Sequence, residues 1–474
     1  MSFRVEKDFL GEVMVPLEAY YGIHTVRAEE NFPVSGLKTH PALIRAMAQV
    51  KQAAALANMG AGLLDRSVGE AIAKAAAEVA EGRLDGQFIV DAFQGGAGTS
   101  ANMNMNEVIA NRAIEILGGK KGNYRTVHPL DHVNLSQSTN DVFPTALRIA
   151  AIGMVLELSQ AFAGLQSALQ GKEAEFAGII KLGRTEMQDA VPITLGQEFS
   201  AYAEAVARDR WRLYKVEERL RQVNLGGTAV GTGLNADPDY IFMVIEELRT
   251  ITGYGLARSE NTVDLTQNAD VFVEVSGLIK AAAVNLAKIA GDLRLLSSGP
   301  LGGLGEIGLP QLQPGSSIMP AKVNPVIPEM VTQAAYQVMG NDQVIAMAAA
   351  SGQLDLNAFL PLIAHNLLQS LELMTRTVKI FEERCIRGIR ANEDRCRRWL
   401  EESHGFITAL APHLGYDTAA AMVKRSAGEG KKLREVVIES GLLSKDQLEA
   451  ILAPGELTRP GVAGKGILKR EGDF

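Results

Sequence analysis

Cysteine, excess positive charge and long apolar runs are all scarce in this chain. Among its 474 residues only Cys385 and Cys396 are cysteines, eleven positions apart in a stretch that reads as helical. So low a count excludes a disulfide framework and a cysteine-rich zinc site, leaving two ordinary thiols. Lys and Arg number 47 against 55 Asp and Glu, a formal net charge of -8. A general nucleic-acid binder is thereby excluded, because neutralising phosphates needs clustered basic side chains. The opening MSFRVEKDFLGEVMVP carries charges where a signal peptide needs an apolar run, and no later apolar stretch is read as long enough to span a bilayer. A cytoplasmic location is expected.

What is present belongs to an ordinary globular protein: 47% hydrophobic and 22% charged residues, enough chain for two or three domains. Strand-like alternation is rare and helical periodicity is common. Ala151, Val155, Leu158, Phe162, Leu165 and Leu169 form one stripe of a helix over 145–170, with Pro144 in its first turn. Over 265–298 the seam is longer: Phe272, Val275, Ile279 and Ala282, then Leu286, Ile289, Leu293 and Leu296. Further helical patterns cover 41–59, 66–81, 196–222, 327–350 and 357–399. The first forty residues read as an irregular arm with one short hairpin.

These features predict an all-α fold, a long central helical bundle with smaller terminal domains. The expected division is 1–139, 140–395 and 396–474. Apolar residues on more than one face of such helices predict a bundle completed by other copies of the chain. In the last domain Ser444 and Gln447 form a capping box, and the closing ELTRPGVAGKGILKREGDF, rich in Gly and charge, is expected to be partly mobile.

Some motifs are set aside. Gly303, Gly305 and Gly308 spell the dinucleotide fingerprint, but a helix precedes them and Pro310 follows, where a strand and a helix are required. Ala350, Ser351 and Gly352 form the tripeptide that some ammonia-lyases cyclise into an electrophile, and three residues match by chance. His128 and His132 have the spacing of metal ligands, yet Pro129 lies between them and no third ligand is apparent, so a structural role is expected.

Four stretches collect hydroxyl and amide side chains beside Gly or Pro where helical patterns begin: GGAGTSANMN (95–104), SQSTNDVFPT (136–145), GRTEMQDAVP (183–192) and GSSIMPAKVNP (315–325). Singly, each reads as a capped helix start. Together, with Lys322 the one lysine among them, they suit an anion site if they converge, with helix-start amides and hydroxyl donors holding carboxylates.

With these motifs and YYGIHT (20–25) and TAVGTGLNA (228–236), nearly the whole chain resembles the aspartase/fumarase superfamily. GSSIMPAKVNP is a specific signature of it. GGAGTS, the Thr of SQSTND and AKVNPVIPE (321–329) resemble the aspartate ammonia-lyase branch. The resemblance implies a homotetramer with each active site built from three subunits and no metal or organic cofactor. It implies that Ser316, on a mobile loop, takes the Cβ proton of L-aspartate. Lys322, Asn324 and Thr185 would hold the α-carboxylate, while Thr99, Ser138, Thr139 and Ser317 hold the β-carboxylate. Asn140 would contact the α-amino group, and the elimination would yield fumarate through an aci-carboxylate.

One position departs from the family. After GRT, where fumarases carry His and aspartases Gln or His, this chain has Glu186. A carboxylate there repels a dicarboxylate, or accepts a hydrogen bond from an ammonium and shifts the choice of amine, or turns to a structural partner. Three alternatives to the aspartate ammonia-lyase reading therefore stay open: a class II fumarate hydratase, a lyase for an N-substituted aspartate, and a catalytically silent helical scaffold.

Overall fold

The computed structural model describes residues 2–468. Helix dominates, and the strands form four two-stranded sheets. The chain divides into two compact units, each assembled from discontinuous segments. One draws on Met1–Gln160, Asp209–Ala283 and Ala334–Arg376; the other on Ala161–Arg208, Val284–Gln333 and Thr377–Phe474.

In the first unit the arm is a regular hairpin, Phe3–Asp8 against Gly11–Pro16, followed by a helix, Ile23–Asn31, that periodicity did not reveal. Glu107 explains that helix: its buried carboxylate accepts hydrogen bonds from the backbone of Gly22, His24 and Thr25 and from the Thr25 hydroxyl, fixing the helix start. Helices Pro41–Gly60 and Arg66–Ala80 begin where local chemistry places them. His40 caps the first and Pro41 sits at its first position, while Asp65 caps the second through the amides of Ser67 and Val68.

The helix read as 145–170 runs Thr139–Glu175, so Pro144 lies inside it rather than in its first turn. A proline there cannot donate to the carbonyl of residue 140. Asn224 supplies the missing donor, its Nδ2 lying 3.0 Å from the Asn140 carbonyl oxygen. This helix is the one element among the described residues long and apolar enough to cross a membrane, contrary to expectation, but 72% of its most apolar window is buried inside the protein. It serves as a core helix.

The long seam is borne out as a helix, Asp270–Leu296, with a break at 268–269 that detaches Thr262–Gln267. Its eight apolar residues are buried within the single chain, none more than 7% exposed, so the seam itself needs no second copy. The apolar residues left exposed on the long helices are others, among them Trp211, Tyr214, Phe242, Val284, Tyr336 and Met347. The pattern over 357–399 divides into Leu360–Arg384 and Glu393–Glu402, separated by Ile386–Gly388 and a short strand.

In the second unit Phe406, Leu410, Leu433, Val437, Leu448 and Ile451 form a small core of their own under short helices. The Ser444 and Gln447 capping box forms as read. Helices over 454–457 and 465–468 reach into the closing segment, and the expectation of mobility for 469–474 lies outside the described residues.

Candidate functional site

Thr99, Ser138, Thr139 and Asn140 are brought together in the first unit. Thr99 is the first residue of helix Thr99–Ile116, reached through Gly96, Ala97 and Gly98, all with positive φ. A Cβ on Gly98 would lie 2.3 Å from the ring of Phe143, so only glycine lets this helix start approach helix Thr139–Glu175 so closely. The link between the two is Asn102, which donates to the Thr139 hydroxyl at 3.1 Å. Ser138 caps the second helix: its Oγ accepts from the Asn140 amide at 3.3 Å, and its own amide donates to Asp141 Oδ1 at 3.0 Å. The Ser138 hydroxyl proton has no acceptor among the described residues. The Asn140 side chain donates to the Ala229 carbonyl at 2.7 Å.

Beneath these groups lies a buried polar framework that sequence reading missed. Lys51 is wholly buried and donates to Asn134 Oδ1 and Gln137 Oε1, both at 2.9 Å. Burial lowers its pKa to about 7, partly opposed by the charge of Asp141. Asp141, also wholly buried, accepts from the amides of Ser138, Gly226 and Thr228. Burial still outweighs these donors and raises its pKa to about 6. A signal was available in the sequence: Lys51 interrupts an Ala-rich apolar run, and Asn102, Asn104 and Asn106 alternate within ANMNMN. Polar groups at buried helical positions require partners.

In the second unit Ser316, Ser317, Lys322 and Asn324 share one loop. It closes on itself through the Gly315 amide to the Lys322 carbonyl at 2.6 Å, Asn324 Nδ2 to the Gly315 carbonyl at 2.9 Å and Lys322 Nζ to Asn324 Oδ1 at 2.6 Å. The Ser316 oxygen accepts two amide hydrogens, from Met319 at 3.0 Å and Ile318 at 3.2 Å. Those donors favour negative charge on that oxygen. Ser317 and Lys322 are exposed and Ser316 is half-buried; Ser316 and Lys322 line the same hollow of the loop.

GRTEMQDAVP is not a helix start. It forms a hairpin, Ile180–Thr185 against Gln188–Thr194, with Thr185 paired to Gln188 across a two-residue turn of Glu186 and Met187. Both turn residues have positive φ, 54° and 64°, the geometry that hairpins of this length require and that Asn and Gly usually supply. Thr185 and Glu186 are therefore exposed at a tip, and Glu186 has no hydrogen bond or ion pair among the described residues. The first strand of the hairpin is anchored: Lys181 and Arg184 both reach the fully buried Glu306, at 3.1 and 2.8 Å.

The histidine pair is held within its own turn. His128 Nδ1 accepts from the amides of Leu130 and Asp131, and its own amide donates to His132 Nδ1, a structural role for both. Among the described residues no group of three or more His, Cys, Asp or Glu is placed to hold a metal.

Known proteins resemble this chain over nearly its whole length. A family model described as Lyase matches residues 11–340, and one described as Fumarase C C-terminus matches 406–459. Several relatives carry the name aspartate ammonia-lyase, two of them from Bacillus. One from a Bacillus species is 53% identical and covers 98% of this chain and 99% of its own. One from Bacillus subtilis is 50% identical and covers 99% of both. Among solved structures, a Brucella melitensis protein titled fumarate lyase:delta crystallin, bound to cobalt, is 51% identical with a TM-score of 0.94, covering 97% of this chain and 100% of that one. A class II fumarase from Schistosoma mansoni, 37% identical with the same coverage, gives 0.93.

Proposed function

The chain belongs to the aspartase/fumarase superfamily of lyases, and from that premise we infer that it is a carbon–nitrogen lyase that eliminates ammonia from L-aspartate to give fumarate. The observation that carries this reading is the near-complete match, at about half identity, to relatives named for that activity. The substrate is a small dicarboxylate.

The residue roles are our proposal. The Cβ proton of aspartate is barely acidic, so the difficulty is to stabilise the dianion that its removal creates. Ser316 is the base. A hydroxyl is a poor base until ionised, and two amide donors on its oxygen, with the Lys322 charge in the same loop, support the alkoxide once water is excluded. Its oxygen takes the proton, and the electron pair moves into the β-carboxylate as an aci-carboxylate. When that pair returns, the C–N bond breaks and the amine leaves as ammonia.

Thr99, Ser138, Thr139 and Ser317 hold the β-carboxylate, Lys322, Asn324 and Thr185 the α-carboxylate, and Asn140 the amino group. For Glu186 we propose a contact with the ammonium, which its freedom from any protein partner among the described residues supports. We propose, further, that the enzyme is a cytoplasmic homotetramer whose sites are shared between subunits, with functional domains 1–139, 140–395 and 396–474. Exposed aromatic and aliphatic residues on the long helices support the assembly. Parallel assays with L-aspartate and L-malate test the activity. Fumarate from aspartate alone is expected, and fumarate from malate alone would make the protein a hydratase.

A further inference from the structure

A hollow in the first unit is lined by none of these residues. Arg148, on helix Thr139–Glu175, is 3% exposed, and its Nε and Nη1 are buried with no acceptor in the protein. Its guanidinium rests 5.0 Å from the ring centre of Phe272. It lines a hollow of about 280 Å3 that also receives Arg219, Asp264, Asn268, Asp270 and Glu274. Arg219 approaches Glu274 at 3.8 Å, and Asn268 donates to Asp264 at 2.7 Å. Asp270 has no hydrogen-bond or ion-pair partner among the described residues.

Leaving a buried guanidinium without acceptors is costly, and burial lowers the pKa of Arg148 to about 10 despite the nearby Asp270 and Asp264. The hollow calls for two opposite charges at once. An anion alone would satisfy Arg148 but face three carboxylates against two guanidinium groups, and a cation alone would leave Arg148 bare. We propose that this hollow binds a small α-amino acid as its zwitterion, the carboxylate on Arg148 and the ammonium toward Asp264 and Asp270. The inference is independent of the roles proposed above, because none of the ten proposed reaction residues lines the hollow.

Glycine is the probe: it is the smallest zwitterion and lacks the second carboxylate that the elimination requires. Calorimetric titration of the full chain, with fumarate present at saturation to occupy the reaction site, is expected to show saturable glycine binding, with none for acetate or methylamine. Arg148→Met and Asp270→Asn each weaken it by about tenfold or more. Methionine replaces a buried unpaired cation with an apolar chain, so the variant is expected to keep its thermal midpoint. Absence of glycine binding would mean that water alone fills the hollow and would overturn the proposal. So would acetate binding as tightly as glycine, displacement of glycine by fumarate, or undiminished binding by the Asp270→Asn variant, which keeps Arg148.

Discussion

Asn224 donates to the carbonyl of Asn140 at 3.0 Å and so replaces the helical hydrogen bond that Pro144 cannot form. The same amide reaches the Thr266 hydroxyl at 2.9 Å. One buried side chain thus completes the first turns of the helix that carries Thr139 and Asn140 and is capped by Ser138. Asn224→Ala is expected to cost about 1–3 kcal/mol of stability, the penalty for leaving buried groups unpaired. Because Asn140 loses its support, KM for L-aspartate should rise more than kcat falls. Denaturant titration and steady-state kinetics check both; unchanged KM would separate Asn140 from substrate binding.

Gly98 admits no side chain. Alanine there would put a Cβ within 2.3 Å of the Phe143 ring at φ +97°, and the helix start that presents Thr99 would have to move. Gly98→Ala is expected to lose about 2 kcal/mol or more of stability and much of its affinity for fumarate. Retention of both would contradict the close approach on which this half of the site depends.

The motif loops were legible because they combine Gly or Pro with hydroxyl and amide groups, and the long helices because apolar spacing exposes their buried stripes. The start at Thr139 was not legible: a proline at residue 144 reads as a helix beginning unless Asn224, eighty positions on, is known to stand in for the lost donor. The GRTEMQDAVP hairpin hid for a related reason, since its turn carries Glu and Met where Asn and Gly would have announced it. The buried roles of Lys51 and Asp141 were not legible, because most of their partners come from distant segments.

The hairpin turn gives a stability prediction. Met187 holds a positive φ of 64°, a conformation that costs an L-residue and suits glycine. Met187→Gly is expected to raise stability by about 1 kcal/mol without changing turnover of L-aspartate. A loss of stability, measured by thermal or denaturant unfolding, would show that the methionine side chain anchors the tip.

Glu186→Gln separates the two roles open to that carboxylate. With Glu186 on the ammonium, the variant should bind L-aspartate about tenfold less well and change its ratio of activities toward N-substituted aspartates. If the carboxylate instead repels the substrate, KM falls. Unchanged kinetics across amines would remove Glu186 from the site.

Burial lowers the pKa of Lys51 to about 7, below the ordinary lysine value of 10.5. A lysine with a lowered folded pKa favours its neutral form in the fold, so the stability it contributes is present above pH 10.5 and lost as pH falls toward 7. Between those limits the unfolded chain holds the extra proton, and stability should climb with pH by up to about 1.4 kcal/mol per unit more than in Lys51→Met. Denaturant titrations of both proteins at pH 7, 8 and 9 measure the difference in slope; parallel slopes would place Lys51 in contact with water.

The measurement closest to the central claim is fumarate formation from L-aspartate, followed by ultraviolet absorbance, for the native protein and Ser316→Ala. The native protein is expected to produce fumarate from L-aspartate and none from L-malate. The variant, folded with an unchanged thermal midpoint and still binding fumarate, is expected to lose at least about a thousandfold in kcat, as a missing catalytic base requires. A Ser316→Ala protein that keeps substantial turnover would contradict the account, because the base would then lie elsewhere.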